Sequence, residues 1–252
     1  MRFFFTVTRR RRSSGAPFDP AAPAASDDIP LVIGNTKDEA SLFLVGDDGV
    51  WSGTLTEAEL KARVARLAGA DTDRVLELYR ARDPKANPAE LLIAASTGGN
   101  FWVRSVMLAE RKVARNRAPI YFYAFNWATP AFGGRLKSHH AIDLPFTFDT
   151  VDAADTSAGF PGAQQLGDAM SATWAAFARN GTPDNAAIPH WPAYTLADRA
   201  TLVLDTTCRV DNDPAVTRAC CGAGSRRLDV TAAPLSAPRT ASPQNNSRAR
   251  RR

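Results

Sequence analysis

Apolar residues along this chain alternate between short runs of strand length and longer stretches at helical spacing. The run IPLVIG closes on Gly34 and meets a polar turn, NTKD, so a buried strand is predicted over 30–34, leading into an acid-bearing turn and a helix over 37–45. Thr56 and Glu59 carry a capping-box signature ahead of a helix whose apolar positions Leu60, Val64 and Leu67 share one face and which stops at Gly69. Two more short helices are predicted over 73–81 and 88–96, separated by DPKANP. Asn100 opens a longer helix, with Phe101, Val103, Met107, Leu108 and Ala114 on its apolar side and basic residues gathered towards its C-terminus, and Pro119 ends it. PIYFYAFNW, residues 119–127, has the length and aromatic content of a strand inside a sheet, and LPFTF, residues 144–148, is a shorter apolar piece after a loop. Residues 164–179 read as a helix with Leu166, Met170, Trp174 and Phe177 as its buried stripe and Asn180-Gly181 at its C-cap; TLVLD, residues 201–205, is the last strand. Strands separated by helices predict an α/β fold.

The two ends fall outside this pattern. Residues 1–16 hold five Arg and no acid, and residues 222–252 hold seven Arg against one Asp, so the ends contribute +5 and +6 to a total of +5. The body between them is therefore at −6, and the pI of 9.4 describes two tails, which gives no ground for a nucleic-acid or membrane partner. The runs RRRR and RARRR also lack interleaved aromatic residues or a folded recognition element. The expected organisation is a basic lead segment over 1–16, a folded unit over 17–210 that begins with a Pro/Ala/Asp linker at 17–28, and a disordered basic tail over 211–252. The start MRFFFTVTRRRR places its apolar residues before its charges, the reverse of a signal peptide, and is too short to span a membrane, so the chain as written is expected in the cytoplasm. Three cysteines, Cys208, Cys220 and Cys221, show neither disulfide-framework nor zinc spacing.

Only three histidines, His139, His140 and His190, are available for acid–base work. On the residues alone, a Glu after a strand is an ordinary cap or ion-pair partner, and a loop His an ordinary solvated side chain. IGNTKDEASLF, however, resembles the segment of type-B carboxylesterases, the family of cholinesterases and bacterial para-nitrobenzyl esterases, in which the Glu is the acid of a Ser-Glu-His triad; the resemblance implies that role for Glu39. HAIDLPFTF resembles the family's general-base segment and implies that role for His140 rather than His139. YFYAFNWATP resembles the aromatic strand that leads into the active-site loop, and the stretch from AMSATWAAFARNG to TLVLD resembles the family's late helix, W-P-x-Y turn and last strand. Together these segments cover roughly residues 17–206 in family order and imply the C-terminal part of an α/β-hydrolase, with later sheet strands and packing helices, acting on small-molecule carboxylic esters. The order of acid then His is the one α/β-hydrolases use. No metal or organic cofactor is implied. The Ala- and Arg-rich composition is compatible with a high-GC bacterium.

One family feature is missing from the sequence: there is no G-x-S-x-G elbow for the nucleophile. DTSAG around Ser157 has Asp155 where the first glycine belongs and no apolar strand before it, and Ser96 is expected at a helix end. The serine and oxyanion hole are therefore expected in a missing N-terminal half, leaving this chain inactive alone and its half-sheet with an open edge. A catalytically inert, esterase-like interaction module is the alternative. The flanks have the composition of out-of-frame translation of GC-rich DNA, which suggests a truncated or frameshifted reading. Phe132, Trp127 and Phe146 are assigned to core packing, with a lining role in the acyl pocket as the alternative.

Overall fold

A computed structural model describes Phe18 and residues 21–212. Four strands, β1 (Leu31–Thr36), β2 (Ile120–Phe125), β3 (Ala200–Leu204) and β4 (Arg209–Asn212), form one sheet in the order β1-β2-β3-β4. The first three are parallel, as crossover helices require, and β4 turns back antiparallel on β3. The β1-to-β2 connection carries the short helices α1 (Ala40–Phe43) and α2 (Asp48–Trp51) and then α3 (Glu57–Ala68), α4 (Thr72–Arg82), α5 (Pro88–Thr97) and α6 (Val103–Val113). α7 (Leu144–Thr147) and α8 (Ala163–Asn180) lie between β2 and β3.

β2 is covered on both faces, which is why its sequence is a near-continuous apolar run. Ile120, Phe122 and Ala124 pack with Trp102, Val106 and Ala109 on the α6 side. Tyr121 and Phe125 pack with Phe146, Leu166 and Met170 on the side of α7 and α8. A separate cluster, built from Leu60, Val64, Leu76, Leu91 and Leu92, ties α3, α4 and α5 together. The signals at helix ends are realised: both bonds of the Thr56/Glu59 capping box form, Asn87 and Glu90 form a second box that opens α5 behind Pro88, and Gly181 closes α8 at φ 75°.

Several expectations are corrected. β1 runs to Thr36 and most of it is only half-buried, because among the described residues it pairs on one side alone, with β2. LPFTF folds as α7, its Pro145 sitting at the start of a helix where a missing N–H is harmless. The helix expected from Asn100 is a continuation of α5: residues Gly98–Trp102 form a π-turn, in which Val103 N–H reaches back five residues to Gly98 O, and α6 follows without a break. Ser96 consequently lies inside a helix. The buried stripe of α6 is Trp102, Val106 and Ala109, while Met107 and Ala114 are exposed. β4 was not foreseen, and it crosses the expected boundary at 210; residues 1–17, 213–252, Cys220 and Cys221 lie outside the described residues. Trp127 and Phe146 are in the core, whereas Phe132 is 61% exposed at φ 53° in a surface turn, so it packs no core.

Gly34 faces Tyr123 across the β1–β2 pair, and a Cβ there would lie 2.3 Å from Tyr123 O and 2.4 Å from its ring Cδ1. Because backbone cannot swing aside as a flexible side chain can, Gly34→Ala is expected to destabilise the fold by about 1–3 kcal/mol, read as a lower urea midpoint at unchanged slope.

Candidate active site

Glu39 sits in the turn just beyond the C-terminal end of β1, and His140 lies in the loop after β2. Parallel pairing of these strands brings their C-terminal ends side by side, so residues separated by 101 positions meet with His140 Nδ1 2.6 Å from Glu39 Oε2. Glu39 is only 4% exposed, a placement that requires partners for its charge. Its Oε1 accepts from the Thr36 N–H at 2.8 Å and makes a longer contact with Asn35 Nδ2 at 3.4 Å. One carboxylate oxygen is thus on the backbone and the other on the imidazole, an arrangement suited to a proton on Nδ1.

The two loops are laced together. Lys37 N–H donates to Phe125 O at 2.8 Å, Asp38 N–H to Ser138 O at 2.9 Å, the Ser138 hydroxyl to Phe125 O at 2.8 Å, and the Ser41 hydroxyl to Leu136 O at 2.6 Å. The α5–α6 helix fixes the acid turn from behind: Thr97 Oγ1 accepts from Ala40 N–H at 3.0 Å and Trp102 Nε1 donates to Thr36 O at 3.2 Å. Immediately after His140, Ala141 adopts φ 66°, a left-handed conformation that turns the chain sharply for a non-glycine residue.

His139 is placed quite differently from its neighbour. It is buried, its Nδ1 is 2.8 Å from the carbonyl of His140, its Nε2 has no partner among the described residues, and burial holds its imidazole below the usual range. His190, exposed, pairs with Asp184 at 2.7 Å in a separate surface loop. The Ser157 hydroxyl is fully buried and donates to Val151 O at 2.8 Å, which leaves no exposed nucleophile there.

Sequence reading missed three neighbours of the pair. Phe43 and Phe101 stand with ring centroids 5.2 Å and 5.6 Å from the His140 ring. Asp143, one turn past His140, accepts from Tyr123 OH at 3.0 Å. Burial is the main reason why the Asp143 carboxyl is pushed above the usual range, with the Glu39 charge adding to it; the Tyr123 hydroxyl is pushed up by burial and by Asp143. The F at position 43, one helical turn from Glu39, and the D of HAID were the signals available. Among the described residues no cluster of three or more His, Cys, Asp or Glu is placed to hold a metal, and no helix is long and apolar enough to cross a membrane.

The sequence profile of the carboxylesterase family matches residues 15–219. The chain belongs to that family. It is 32% identical over 201 residues to the para-nitrobenzyl esterase of Bacillus subtilis (strain 168), covering 79% of this chain and 38% of that protein. It is 26% identical over 194 residues to the phenmedipham hydrolase of Pseudarthrobacter oxydans, covering 75% and 38%. Among solved structures, a carboxylesterase of Geobacillus stearothermophilus superposes with a TM-score of 0.64 at 31% identity, over 75% of this chain and 39% of that one. This carboxylesterase chain thus has part of an α/β-hydrolase fold and spans about two fifths of the length of these relatives.

The raised Asp143 carboxyl gives a pH test of the site. The folded chain holds a proton there at pH values where the unfolded carboxyl, near 3.9, has released it. Stability from this group is thus fully present below about pH 4 and is lost as pH rises through the folded value. Asp143→Asn, which keeps an acceptor for Tyr123, is expected to flatten that decline, raising the urea midpoint at pH 7 relative to pH 4 when both chains are compared.

Proposed function

We propose that this chain supplies the acid and the base, Glu39 and His140, of a Ser-Glu-His carboxylic ester hydrolase, as the C-terminal part of a fold whose serine and oxyanion hole come from a companion N-terminal portion. The reading is carried by one observation: the imidazole Nδ1 lies 2.6 Å from a buried carboxylate that the backbone also holds. Membership of the carboxylesterase family supports the reaction class. In that reaction Nε2 takes the proton of the serine hydroxyl as the hydroxyl attacks the ester carbonyl, Glu39 stabilises the imidazolium that forms, and the same proton passes to the departing alkoxide. Water then repeats the sequence on the acyl-serine. The substrate is a small carboxylic ester, and no cofactor or nucleic acid takes part.

The edge of β1 that is open among the described residues, and the half-buried Leu31, Val32 and Ile33, are where a companion portion would complete the sheet. The isolated chain is expected to hydrolyse p-nitrophenyl acetate no faster than buffer does. Grafting residues 21–212 in place of the matching segment of the B. subtilis para-nitrobenzyl esterase is expected to give an active chimaera. In it, His140→Ala should lower kcat by about 10⁴-fold or more and Glu39→Gln by roughly 10³–10⁴-fold. Steady turnover by the isolated chain that disappears in His140→Ala would refute the division of labour. A folded, active chimaera indifferent to His140→Ala would refute the role of His140.

A further inference from the structure

The Glu39 bond alone does not fix the His140 ring. The side chain is 44% exposed, and rotation about its χ2 is soft, so a half-turn replaces Nδ1 by a carbon and breaks the contact with Glu39. Packing must supply the missing restraint, and the only ring contacts of His140 among the described residues are with Phe43 and Phe101. The three centroids form a near-equilateral triangle of 5.2, 5.6 and 6.0 Å, with both phenyl rings tilted 43–44° to the imidazole.

Phe43 is there because it lies one helical turn beyond Glu39 and shares its face. Phe101 is there because of the π-turn. A regular α-helix advances about 100° per residue, so the extra residue accommodated in the turn rotates everything after it by about that amount relative to α5. In this phase Trp102 reaches Thr36 O with its indole N–H while Phe101 reaches the imidazole. Thr97, one residue before the turn, meanwhile accepts from the Ala40 amide.

We propose that Phe101, delivered by the π-turn, is a positioning residue for His140, holding the imidazole with Phe43 in the orientation that keeps Nδ1 on Glu39 and Nε2 outward. The proposal rests on the acid–base reading of this pair. Its consequence is that the helical connection between β1 and β2, far from being inert packing, sets the tautomer of the base.

The test uses the full chain uniformly labelled with ¹⁵N at about pH 8, where an ordinary imidazole is neutral. Long-range ¹H–¹⁵N correlations identify the tautomer of His140, whose signals are assigned by their loss in His140→Ala. The parent is expected to show a single Nδ1–H tautomer with ring protons shifted upfield by the two phenyl rings. Phe101→Ala should draw the two nitrogen shifts together, as for a ring exchanging between tautomers, and Phe101→Tyr should restore the parent pattern. Phe101→Leu, which retains apolar bulk, should behave as the alanine variant does and replaces it should that variant fail to fold. A variant lacking the ring, with intact amide signals over β2 and β3 and an unchanged His140 tautomer, overturns the proposal. A parent chain without the Nδ1–H tautomer overturns instead the acid–base reading on which it rests.

Discussion

A carboxylate with 4% of its surface exposed is the constraint around which the rest of this structure is arranged. An unpaired charge so placed is costly by several kcal/mol, and it persists only where hydrogen bonds replace its lost water. Glu39 obtains them from the Thr36 amide at the end of β1 and from an imidazole carried by the loop after β2. Both donors must therefore be held still. The backbone bonds from Lys37 and Asp38, the hydroxyls of Ser41 and Ser138, and the anchors from Thr97 and Trp102 hold the acid turn and the base loop as one unit.

Most of the scaffold was legible in the sequence because its determinants are local. Thr56 with Glu59, Pro119, and Asn180-Gly181 act within a few residues of themselves, and the aromatic density of residues 119–127 marks a strand covered on both faces. What escaped depends on partners distant in sequence. β1 has the composition of a buried strand, yet its burial depends on a neighbour on its outer edge that the described residues do not provide. The π-turn has no composition of its own; GGNFW adopts it with Trp102 on Thr36 O and Phe101 beside His140, and the helix face that follows is shifted accordingly. Phe132 looks apolar in sequence but occupies a left-handed turn that points it to solvent.

The candidate site was legible in a different way. Charge, spacing and composition left Glu39 and His140 as an ordinary acid and an ordinary loop histidine; only the resemblance of their surrounding segments singled them out. The structure adds what neither residue pattern contained, namely that His139 is sequestered by its own neighbour's carbonyl, that Asp143 and Tyr123 form a partly buried pair, and that two phenyl rings crowd the imidazole. Gly34 contributes to this arrangement: its missing side chain is the space that the Tyr123 ring occupies.

The 101-residue separation between the two halves of the acid–base pair has a kinetic meaning. Hairpin partners meet within microseconds, but parallel neighbours joined by a six-helix connection must first close a long loop, and such contacts form late because their entropy is spent before any pairing is gained. Until β1 and β2 zip together, the imidazole has no carboxylate and the carboxylate has no imidazole. The oriented imidazole thus depends on the β1–β2 pairing and cannot precede it.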